Sequence, residues 1–110
     1  MSHYTPDAWV IVKITPKDEN YPVHYRVFVG WYGGYAGSDS WKMNSGITRV
    51  VQDGDIFHFH GESGSVYSCY KDAERMTGYM MQIYQSFQGY ENITVEHVPF
   101  ADYMAAQPNS

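Results

Sequence analysis

His58-Phe59-His60 with Glu62 is the segment whose residue types most invite chemistry. Imidazoles two apart on a strand share a face, as metal ligands must. His24 is a candidate third ligand if its strand lies alongside. The competing expectation is a polar outer strand face carrying two exposed histidines, and that one is preferred. Cys69 could act as a nucleophile beside a histidine. It sits in an alternating apolar stretch, however, where an inert buried thiol is expected. Ser63 in Gly61-Glu62-Ser63-Gly64 is no nucleophile elbow, because no helix follows directly. Asp39 and Glu62 could form an acid–base pair across two loops, yet loop carboxylates more often cap turns. No convincing catalytic set emerges, no cofactor is implied, and binding without turnover is expected.

The stronger signal is a run of glycine, aromatic and small polar residues over 30–46, followed by a second glycine-rich turn at 61–65. A loop that long is uncommon in a compact domain and is more often functional or mobile. Its glycines would let backbone N–H groups approach an anion. It is not a phosphate loop of the Gly-Lys-Ser/Thr kind, and a strand follows it rather than a helix. Trp31, Tyr32, Gly33, Gly34, Tyr35, Ser38, Asp39, Ser40, Trp41, Lys42 and Asn44 are the candidate ligand-binding residues of the first loop. Glu62, Ser63, Gly64 and Ser65 are those of the second. The tryptophans and tyrosines would stack on a flat ligand. Lys42 or Arg49 would add charge. The alternative for Trp31 and Trp41 is that they plug the sheet edge.

The elements that must position these loops can be read from periodicity. Residues 8–14 form a compact β-branched strand expected at the centre of a sheet. Strands follow at 25–31, 47–51, 56–60, 66–70 and 93–98. Asp53-Gly54 between two of them predicts a hairpin of the primed-turn type. Met76, Met80, Ile83, Tyr84 and Phe87 recur at helical spacing, which predicts one amphipathic helix over about 71–87. Pro99 can open a short terminal helix through Tyr103 and Met104. The expected fold is α+β: an antiparallel meander of about five to six strands with the helix packed on one face. In such a meander the 30–46 loop and the 61–65 turn fall at one end of the sheet.

At 110 residues the chain makes a single domain over 1–110, with 1–6 and 105–110 expected to be flexible. Seven Lys+Arg against twelve Asp+Glu give a net charge of −5, with no basic stripe for a nucleic-acid polymer. One cysteine allows no internal disulfide and points to a reducing, cytoplasmic setting. Asn92-Ile93-Thr94 has the form of a glycosylation acceptor, but residues 1–6 carry no apolar leader, so a chance triplet is expected. No apolar run is long enough for a membrane span. Eleven Tyr, five Phe and three Trp exceed what a small core hides, so some rings should reach the surface, where they favour a partner or a homo-oligomer.

Two segments, Trp31–Ile47 and His60–Lys71, resemble those of small accessory proteins of tailed bacteriophages. The resemblance carries no catalytic residues. It implies a setting, the cytoplasm of an infected bacterium, and roles such as disabling a host factor or sequestering a nucleotide signal of host defence. Gly54 to Gly64 is also loosely similar to the first cupin motif, but the spacing around His58 and His60 departs from it. Three readings result. The first is a non-enzymatic protein binding a small polar or phosphorylated ligand, such as a nucleotide, at the paired glycine loops. The second is a protein–protein inhibitor of a host enzyme that works through a Tyr/Trp-rich surface. The third is a small metal-dependent enzyme using His58 and His60 with Glu62.

Overall fold

The computed structural model describes residues 2–34 and 37–107. Ala8–Val12 reads Ala-Trp-Val-Ile-Val, apolar at every position, so this strand can be buried on both faces. It is: each of the five residues is at most 1% exposed. The strand, β2 (Ala8–Pro16), lies inside a four-stranded sheet that also holds β3 (His24–Trp31), β4 (Ser40–Met43) and β8 (Ile93–Val98), in the order β4-β3-β2-β8. A second sheet has the order β1-β7-β6-β5, from β1 (His3–Tyr4), β5 (Ile47–Asp53), β6 (Ile56–Gly61) and β7 (Val66–Tyr70). Among the described residues these strands pair antiparallel except β1 with β7.

Each face of β2 serves a different layer. Trp9 and Ile11 join Val27 and Val29 against Phe57, Phe59, Tyr67 and Cys69 of the facing sheet. Ala8, Val10, Val12 and Ile14 join Phe28 beneath helix α1 (Gly78–Phe87), which contributes Met80 and Phe87. Helix α2 (Phe100–Ala105) closes the space between the sheets, with Phe100 stacked on Phe57 at 4.1 Å and Tyr103 buried. Thus the α+β class, the antiparallel strands and the packed amphipathic helix are as expected, and the strands are shared between two sheets.

The chain changes sheets after β4, where a meander would have stayed in one. Gly46, at φ 142°, makes the crossing. That φ favours glycine, and a Cβ there would sit 3.1 Å from Glu62 Cδ, so the Glu62 side chain would also have to shift. The predicted long loop is also interrupted, because Ser40–Met43 pairs with Phe28–Trp31 as β4. Helix α1 starts at Gly78 and not at 71. Lys71–Ala73 is a 3-10 turn, and the next residues bridge to β2, with Arg75 N–H donating to Trp9 O at 3.0 Å. Thr77 then caps the helix, its Oγ1 accepting from Met80 N–H at 3.0 Å. The expected hairpin forms with Asp53 opposite Ile56 and Gly54 at φ 60°, the arrangement of a II′ turn. Within the N-terminal segment expected to be flexible, Val66 N–H donates to Ser2 O and His3–Tyr4 pairs with β7, while residues 1 and 108–110 of the two expected flexible ends lie outside the described residues. No helix of the described residues is long and apolar enough to cross a membrane.

Candidate functional site

Helix α1 covers only part of its sheet. Beyond its C-terminal end the same face stays open as a groove of about 1140 Å³. Its apolar lining includes Ile14, Met43, Ile93 and Val95, with Trp41 and Phe87 at the helix end. Tyr21 and Tyr90 stand at the rim, 65% and 53% exposed. Trp41 is held by edge contacts with Phe28 and Phe87, each at 5.7 Å between centroids, so its ring is fixed in place.

Arg26 is the charge in this apolar setting. In β3 it alternates with Val27, so it shares the groove face with Phe28. It is half-buried, and its Nε–H donates to His24 Nε2 at 3.0 Å. His24 therefore carries its proton on Nδ1, which faces Pro22 O at 3.3 Å. Among the described residues no ion pair forms, so the terminal amino groups of Arg26 meet no carboxylate. A half-buried guanidinium with a free fork suits a carboxylate or phosphate in bidentate geometry. Lys17 adds positive charge to the lining, while Asp18 and Glu62 bring negative charge. Asp18 is engaged at its own turn, accepting from Asn20 N–H at 2.9 Å.

The residues predicted to bind a ligand separate into three groups. Trp41, Lys42 and Glu62 line the groove. Lys42 does not bring its charge there: its Nζ lies 5.2 Å from the centre of the Tyr4 ring. Trp31, Tyr32, Gly33, Gly34, Ser38, Asp39 and Ser40 lie at or beside the connection between β3 and β4, at the far end of β4 from the 61–65 turn. Trp31 is part of the packing, with Nε1–H donating to Thr5 O at 3.0 Å and its ring edge-on to Tyr4. Tyr32 N–H and Gly33 N–H, the expected anion donors, are taken by Asp7 and Asp39, each at 2.9 Å. Tyr35 lies outside the described residues.

Asn44 is buried and extends the ladder of β4, its N–H donating to Val27 O and its Oδ1 accepting from Val27 N–H. Its Nδ2 has no hydrogen-bond partner among the described residues. The two glycine loops do meet there, but through 44–46 only. Glu62 N–H donates to Gly46 O at 3.0 Å and Ser63 N–H to Ser45 Oγ at 2.9 Å. Ser63, Gly64 and Ser65 close a tight turn and do not reach the groove lining.

The histidine expectations are redrawn as well. Among the described residues no three His, Cys, Asp or Glu side chains come together as a metal-holding set. His24 lies on the other sheet from His58 and His60. His58 Nδ1 instead meets Ser68 Oγ at 2.7 Å, and His3 Nε2 meets the same oxygen at 2.5 Å. Burial, then the nearby charges of Arg49 and His58, hold the His60 pKa below its ordinary value. Cys69 is fully buried, and burial pushes its thiol far above the usual range, which removes it as a nucleophile.

Sequence reasoning missed Arg26. The available signal was its place in the alternation: it falls on the face of Phe28, where a core residue is expected. The chain matches no protein-family model, no curated protein and no solved structure.

Proposed function

We propose that this chain is a binding protein that takes a small organic anion with a flat apolar body into the groove, without turnover there. Nucleotides and aryl phosphates or carboxylates are the chemical class. The observation that carries the reading is Arg26, a half-buried guanidinium with no carboxylate partner, on an apolar floor. Its free guanidinium fork is available to hold an incoming carboxylate or phosphate in bidentate geometry. Trp41 and the rim tyrosines supply ring faces for the rest of the ligand. In the setting implied by the phage resemblance, the protein would sequester a nucleotide signal. A panel of nucleotides, aryl phosphates and aryl carboxylates, titrated against tryptophan fluorescence, tests this. Saturable binding that Arg26→Gln weakens at least tenfold is expected. Equal binding by the variant would refute the role of Arg26.

A second reading draws on the exposure of Tyr21, Tyr32, Tyr70 and Tyr90, which suits a host-protein partner. It predicts that Tyr21→Ala and Tyr90→Ala abolish partner capture while no small anion binds.

A further inference from the structure

The outward face of β6 and β7 carries a hydroxyl between two imidazoles, on the sheet opposite the groove. His58 and Ser68 are directly opposed across the two strands, and β1 brings His3 to the other side of Ser68. The two nitrogen–oxygen distances, 2.7 and 2.5 Å, are both hydrogen bonds. A hydroxyl has one proton, so it donates to one imidazole and accepts from the other. The first is a base in place, and the second is a donor that favours the alkoxide. His58 is the better-fixed of the two, since β6 lies inside its sheet and β1 is a two-residue edge strand. Neither helix packs on this face: α1 belongs to the cluster on the other sheet, and α2 to the cluster between the sheets.

We propose that Ser68 is a nucleophile for acyl transfer from small activated esters, with His58 as its base and His3 as the hydrogen-bond donor to its oxygen. Ser68 Oγ attacks the ester carbonyl while His58 Nδ1 takes the hydroxyl proton. The carbon–oxygen bond to the leaving group then breaks, and His58 returns the proton to the departing alkoxide or phenoxide. Water, activated by the same imidazole, releases the carboxylic acid and restores Ser68. The residue is only 6% exposed, which confines the donors to short, flat acyl groups. Val66 and Tyr70, two residues away on the same strand face, offer them an apolar rest.

The test uses the full chain with p-nitrophenyl acetate, following phenolate release and mapping acetyl groups by peptide mass spectrometry. The expected result is an acetyl group on Ser68, its loss in Ser68→Ala, and acylation of Ser68 slowed about a hundredfold in His58→Gln. Circular dichroism checks that each variant keeps its fold. Should Ser68→Ala fail to fold, Ser68→Cys preserves size, and the acetyl group is expected at the substituted position. Acetyl groups on lysines alone, or unchanged Ser68 acylation in His58→Gln, overturn the proposal.

Discussion

Replacing Gly30 by alanine probes the contact on which the helical layer rests. Gly30 is buried in β3, directly beneath the helix. A Cβ there would fall 2.6 Å from Met80 Sδ and 2.7 Å from its Cγ, with Ser40 O at 3.3 Å. Met80 is fully buried, and its sulfur also receives the Thr77 N–H at 3.4 Å, so moving it disturbs the helix cap. Overpacking of this kind costs about 1–3 kcal/mol. Met80→Ala alone leaves a cavity and costs about 2–5 kcal/mol. In the double variant the new methyl group enters the space the thioether left. Its cost should therefore fall short of the sum by about 1 kcal/mol or more. Urea denaturation of the four proteins, with m held constant, measures the cycle. An unaffected Gly30→Ala, or single costs that add within about 0.5 kcal/mol, would refute the close approach of α1 to β3.

Other perturbations separate function from packing. Arg26→Leu should alter stability by less than about 1 kcal/mol, since it exchanges one hydrogen bond for apolar contact, while abolishing anion binding. A loss of several kcal/mol would make Arg26 a structural residue. Trp31→Ala should lower the melting temperature and leave anion affinity unchanged, whereas Trp41→Ala should weaken binding; both are read by titration beside thermal melts. His60 has a lowered pKa in the fold, so the unfolded chain takes up its proton first as pH drops. Its contribution to stability is thus complete above about pH 6.5 and declines below it, and His60→Gln should flatten that part of the profile. Cys69 should resist iodoacetamide in the native protein and react fully in urea.

The layered fold was legible where one face pattern had one meaning. Alternation in 56–60 gave its inward phenylalanines, and Asp53-Gly54 gave its hairpin. The apolar run in 8–14 announced a central strand, while its burial on both faces came from the second sheet and helix α1. The division into two sheets was hidden, because it turns on Gly46, a single residue whose φ composition does not reveal. The helix start was hidden for a related reason: the stripe from Met76 continues past the cap, while the Arg75 to Trp9 hydrogen bond belongs to the tertiary fold. The candidate site was half legible. Trp41 stood out by type, but its position in a strand rather than a loop tip decides that it lines the groove. The Ser68 pair with His58 follows from the register of the 61–65 hairpin, whereas His3 arrives through a parallel pairing that no local pattern signals.

The most direct test of the anion groove is a native mass spectrum of the protein purified from bacterial cells, with a denaturing spectrum beside it, for wild type and Arg26→Gln. The wild-type protein is predicted to carry a small-molecule mass that denaturation removes and that Arg26→Gln lacks. Bare masses for both proteins, or an adduct retained by Arg26→Gln, would contradict the account.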